Sequence, residues 1–113
     1  MSVRTTVDIK TLRTTARWSQ ELLARLLGVS WTTVSRWERG VAIPSSETEE
    51  RLERLAIVQD CIGEMMEPDT LTDFLLTPHP MLRGHKPVDL LKNEYGLEAL
   101  IDFIEGAKSG DMA

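Results

Sequence analysis

The chain has 113 residues, 42% hydrophobic and only 5% aromatic, with a formal net charge of −5. That length allows one compact unit or two very small ones, and leaves little room for a deep enzyme cleft. No stretch approaches the ~18 consecutive apolar residues of a membrane span, no apolar leader opens the chain, and Cys61 has no second cysteine for a disulfide or zinc site, so a cytoplasmic protein is expected.

Ile9, Leu12 and Ala16 recur three and four residues apart, which predicts a short first helix between Asp8 and Arg17. Ser19 reads as the N-cap of a helix over 20–27, with Leu22, Leu23, Leu26 and Leu27 as its apolar stripe and Gly28 as a left-handed stop. Ser30 caps a third helix from Trp31 to about Arg39, with Val34 and Trp37 facing inward and Gly40 closing it. Trp18 is expected in the core as well. Pro44, Ser45 and Ser46 break the pattern, and Ser46 with Glu49 matches the capping box that opens a helix. The long helix that follows carries Leu52, Leu55, Ala56, Gln59, Ile62 and Met66 along one stripe and ends by Pro68.

Asp69 is expected to cap a short segment through Leu71, Phe74, Leu75 and Leu76. Pro78, Pro80, Gly84 and Pro87 then force a structured loop, and Pro87 opens another short helix through Leu90 and Leu91. Gly96 is expected to break that helix, after which Leu97, Leu100, Ile101, Ile104 and Ala107 define a last amphipathic helix ending near Gly110. The fold class is all-α: a helix-turn-helix bundle over 1–67, including the long linking helix, then a small helical module over 68–113.

The net charge hides a split. Residues 1–44 hold seven Lys/Arg against three acids, +4, while the remainder hold six against fifteen, −9. Such asymmetry is expected when one half meets a polyanion and the other does not. A helix-turn-helix also needs small side chains where its helices cross, and holds the second helix outward for a major groove. Ala24, Gly28 four residues later at the turn, and Val34 on the second helix satisfy the three offsets together.

With these offsets, SQELLARLLGVSWTTVSRWERG over 19–40 closely resembles the Xre/Cro type of phage and bacterial repressor domain. The resemblance implies groove-facing positions at Trp31, Thr32, Thr33, Ser35 and Arg36, with Gln20 reaching the DNA backbone. Arg36 has the chemistry to grip guanine O6 and N7, the two threonines to bond bases or meet thymine methyls, and Arg39 to hold a phosphate. Amides at the helix start near Gln20 suit a phosphate too. Trp31 stands where the family usually has a polar residue. Its indole either stacks on sugar or a thymine methyl, or packs on a neighbouring helix or a dimer partner.

From Phe74 onward, FLLTPHPMLRGHKPVDLLKNEYGLEALIDFIEGAKSGDMA has the spacing T-P-x-P-x-L-x-G-x-x-P-x-D-L-L, then a glycine, an amphipathic helix and a glycine four from the end. That is similar to the Xre/MbcA/ParS toxin-binding domain. The resemblance implies an antitoxin that neutralises a RES-domain, NAD-destroying toxin and represses its own operon. It implies toxin contacts at Leu82, Arg83, Gly84, Lys86, Pro87, Gly110 and Met112. Phe74 replaces a tryptophan common in the family, and no aromatic follows Gly110, so Met112 is left to supply the apolar contact of the tail.

His79 and His85 lie six apart without cysteine or a carboxylate cluster and read as loop histidines, not metal ligands. No nucleophile-base arrangement or phosphate-cradling glycine loop is present, so neither an enzyme nor a cofactor is expected. A homodimer is expected, because one helix-turn-helix reads only a half-site. Two other readings stay open: a stand-alone Xre-family regulator, and a protein adaptor that binds no DNA.

Overall fold

A computed structural model describes residues 8–62 and 66–109. The chain is all-α; among the described residues the only extended pairing is an isolated antiparallel bridge between His79 and His85. It divides into two compact units between Glu53 and Arg54, inside the long helix. The boundary expected after that helix therefore differs from the division by packing, because Leu55, Val58 and Ile62 of the helix belong to the core of the second unit.

The first unit contains α1 (Ile9–Thr15), α2 (Gln20–Leu27), α3 (Trp31–Glu38) and the start of α4 (Ser46–Ile62). Each short helix begins on a side-chain cap. Asp8 accepts from the Thr11 amide, which holds its carboxyl below the usual aspartate range; Ser19 accepts from Leu22 and Ser30 from Thr33. Gly28 ends α2 at φ 72°, a conformation other side chains resist, and this starts the turn into α3. Helices α1 and α2 both pack on α3. Ala24 is buried, Val34 is fully enclosed, and the small alanine lets α2 and α3 approach. Trp18 is 2% exposed, as expected of a core residue, whereas Trp37 is only half-buried.

Helix α4 starts one residue earlier than its capping box suggests. Ser45, not Ser46, supplies the cap: its hydroxyl accepts from the Thr48 amide at 3.2 Å and donates to the Thr48 hydroxyl at 3.0 Å. The inward stripe also differs. Val58 is fully enclosed, while Ala56 and Gln59 are half-buried, because spacing alone did not separate the face centre from its flank.

In the second unit, α5 (Pro68–Leu76) begins on Pro68 itself and has no side-chain cap, so Asp69 lies within the first turn. The ring's fixed φ suits that position. A 3-10 turn (Pro80–Leu82) and a 3-10 helix (Pro87–Lys92) follow, then α6 (Glu94–Ser109). Gly96 does not break a helix but sits in the first turn of α6. Asn93 caps it, accepting from the Gly96 amide at 2.8 Å. A Cβ on Gly96 would lie 1.9 Å from the Leu90 carbonyl oxygen, so the absence of a side chain lets α6 seat against the 3-10 helix. Leu71, Leu75, Val88, Leu91, Leu100 and Ile104 fill the core between these elements.

Candidate functional site

The first unit presents α3 outward. Trp31, Thr32, Arg36 and Arg39 are exposed, and Thr33 and Ser35 half-buried. Thr33 shares a 2.8 Å hydrogen bond with the Ser30 hydroxyl, so its hydroxyl is engaged in the cap while its methyl remains for apolar contact. Arg36 forms no ion pair among the described residues. Trp31, 54% exposed, walls a depression of about 510 Å³ with Arg13, Ser19, Gln20 and Glu21. This depression adjoins the start of α2, where the unpaired amides and the helix dipole favour an anion.

Gln20 is held, which sequence reasoning missed. Its amide donates to Glu38 Oε1 at 3.1 Å, and Glu38 in turn takes both forks of Arg13, from Nε at 2.6 Å and from NH2 at 3.0 Å. Arg13 also donates to the Trp18 carbonyl at 3.0 Å. The Arg13 hydrogen bonds hold the Glu38 carboxyl below its ordinary range, with Gln20 and the nearby positive charges adding to the effect against desolvation. One carboxylate thus ties α1, the start of α2 and the end of α3 together, and orients Gln20 at the expected backbone-contact position. Arg51, from α4, donates to the Leu27 carbonyl at the end of α2 at 3.3 Å. No sequence signal joins Arg13 to a residue 25 positions away.

In the second unit the proline-rich segment is a built loop. His79 and His85 pair through the His79 amide and His85 carbonyl at 3.0 Å, and Gly84 N–H returns to the His79 carbonyl at 2.9 Å. His79 Nδ1 accepts from the Met81 amide at 3.3 Å, and its ring stands edge-on to Phe103 with centroids 4.9 Å apart. Phe74 lies parallel to Phe103 at 6.3 Å. His79 therefore pins the loop to α6, a role invisible in its spacing. Arg54 donates to the carbonyls of Leu91 and Lys92, closing the end of the 3-10 helix.

Of the expected partner contacts, Arg83, Gly84 and Lys86 are exposed together. Leu82 and Pro87 are buried and shape the loop from within. Gly110 and Met112 lie outside the described residues. Beside the loop, a largely apolar groove of about 410 Å³ runs between the 3-10 turn and α6. Among the described residues no group of histidine, cysteine and carboxylate side chains is arranged to hold a metal ion.

Comparison with known proteins meets these two sites in the same order. Residues 9–56 match the family described as Helix-turn-helix, and residues 62–110 match the family described as Antitoxin Xre/MbcA/ParS C-terminal toxin-binding domain. The Mycobacterial cidal antitoxin MbcA of Mycobacterium tuberculosis, and that of Mycobacterium bovis, are 32% identical over 84 residues, 73% of this chain and 74% of theirs. The fold is similar to a chain in the crystal structure of the M. tuberculosis MbcT-MbcA toxin-antitoxin complex, with a TM-score of 0.73 at 22% identity, covering 94% of this chain and 95% of that one. A helix-turn-helix followed by this C-terminal domain, at that level of identity, means that the chain belongs to the Xre/MbcA/ParS antitoxin family.

Proposed function

We propose that the chain is the antitoxin of a type II toxin-antitoxin pair, that it silences a RES-domain, NAD-degrading toxin by direct binding, and that it represses its own operon as a DNA-bound homodimer in the cytoplasm. The observation that carries this reading is the match of residues 62–110 to a toxin-binding domain, joined to the loop that His79 pins within it. A loop ordered before binding loses little freedom when a partner arrives. Arg83, Gly84 and Lys86 are its exposed contacts, Leu82 and Pro87 set its shape, and Gly110 and Met112 of the tail are the remaining toxin contacts in this reading.

DNA binding rests on the outward face of α3. Arg36 reads guanine, Thr32 and Thr33 meet neighbouring bases, and Ser35 and Trp31 line the same face. Arg39 and Gln20 take phosphates, the latter held by Glu38. Functionally, residues 1–67 serve the operator and 68–113 the toxin.

The test is co-expression of the neighbouring gene's product with the wild-type chain, with Arg36→Ala and with a form ending at Lys108, following growth and cellular NAD. Protection by wild type and by Arg36→Ala, with weaker protection by the shortened form, supports the reading. Failure of Arg36→Ala to protect alongside full protection by the shortened form overturns the division of labour.

A further inference from the structure

The groove beside the loop takes Leu82 and Arg83 of the proposed contacts into its lining and joins them to residues of the 3-10 helix and α6. Leu82, Leu90, Ala99 and Phe103 are its apolar lining together with Met81, which is 58% exposed. Its 410 Å³ falls within the volumes that hold ligands, about 300–1,000 Å³, and has room for a large side chain. Its wall is preformed, because the bridge between His79 and His85 and the packing of His79 on Phe103 fix the turn before any partner is bound. Met81 brings an unbranched, polarisable side chain able to close over what enters.

Arg83 and Asp102 stand on the two sides of the groove, and Arg83 has an unusual backbone. It lies in the left-handed region at φ 59° and ψ 32°, followed by Gly84 at φ 79°. Glycine is at ease there and arginine is not. Among the described residues the other non-glycine residue in this region, Arg17 at φ 60°, follows α1, where the helix dipole favours a cation. Arg83 follows a single 3-10 turn, and its guanidinium meets no carboxylate among the described residues. Residues 45–113 carry −9, yet the exposed stretch 83–86 holds Arg83 and Lys86 and no acid. A basic island on an acidic body is complementary to an acidic patch on a partner. Asp102 repels a carboxylate, so the acid must approach from the Arg83 side.

We propose that this groove is a socket for one apolar side chain of the toxin, and that Arg83 at its mouth pairs with a carboxylate beside that side chain. The proposal rests on the antitoxin reading and names the chemistry of the toxin surface that the second unit recognises: a protruding leucine-sized or aromatic residue with an aspartate or glutamate next to it.

Two variants test it on the full chain. Ala99→Trp fills the groove from an exposed helical position, and Arg83→Gly removes the charge while relieving the left-handed backbone. The probe is the purified product of the neighbouring gene, titrated by calorimetry, with thermal melting of each variant alone. The expected result is that both variants bind at least about tenfold more weakly, while Arg83→Gly melts no lower than wild type. Binding of either variant within about twofold of wild type overturns the proposal. So does a loss in Ala99→Trp that disappears when residues 110–113 are removed, which would make the occupant the chain's own tail. A change of oligomeric state in Ala99→Trp with full toxin binding would give the groove to a second copy and overturn it as well. Wild-type chain that does not bind the probe overturns the antitoxin reading itself, a result distinct from all of these.

Discussion

Glu38 receives the guanidinium of Arg13 through two hydrogen bonds, at 2.6 and 3.0 Å, with the two side chains only 7% and 16% exposed. Removing one partner leaves the other charge in a half-dry site. Arg13→Ala is expected to destabilise the first unit by about 2 kcal/mol, between the small value of surface pairs and the larger cost of breaking a buried one. The acid side of the stability curve should show it too. The folded-state pKa of Glu38 is depressed, so its contribution is fully present above the ordinary glutamate range and is lost as pH falls through the lowered folded value. Glu38→Gln should flatten that part of the curve. Urea melts of the two proteins from neutral to acid pH check it, and parallel curves would contradict it.

Gly96→Ala is expected to destabilise by about 1–3 kcal/mol, against the ~1 kcal/mol that alanine gains over glycine in a helix. The added methyl would meet the Leu90 carbonyl oxygen at 1.9 Å and its carbon at 2.8 Å, and a backbone neighbour cannot swing aside as a side chain can. Thermal melting decides the sign. A stabilised variant would show that α6 does not seat as described.

Arg36→Ala should cost about 1–3 kcal/mol on the preferred operator and relax selectivity at one base. Gln20→Ala should weaken binding evenly across sequences, since it loses a backbone contact and the Glu38 bond that positions it. Gel shifts over a salt series separate the two, because specific binding should fall steeply as salt rises. Equal affinity of wild type and Arg36→Ala on every sequence would remove direct readout by this arginine.

The free protein is expected to sediment as a dimer at micromolar concentration, the apolar second unit providing the interface. A monomer with no change on concentrating contradicts this.

Local signals were legible wherever one residue decides the chemistry. Ser19, Gly28 and Ser30 set the bounds of α2 and α3 because caps and left-handed stops act within a single turn. Where two neighbours offer the same chemistry the resolution fails: Ser45 and Ser46 both carry a hydroxyl, and only the closing hydrogen bond to Thr48 chooses between them. Gly96 was misread because propensity knows nothing of a distant backbone, and the approach of Leu90 outweighs it. The outward face of α3 could be read from its pattern. The hold of Glu38 on Gln20, and of His79 on the loop, could not, since each depends on contacts made only after the chain has folded.

All three tryptophans, Trp18, Trp31 and Trp37, lie in the first unit, and they span full burial to 54% exposure. Indole emission from this protein is therefore a one-sided instrument. A shift in its colour or quenching reports the helix-turn-helix unit, with Trp31 the residue most open to a quencher. The second unit has Tyr95 but no tryptophan, and stays dark at the indole band. Phe74, half-buried beside Phe103, is the position at which a tryptophan would light it.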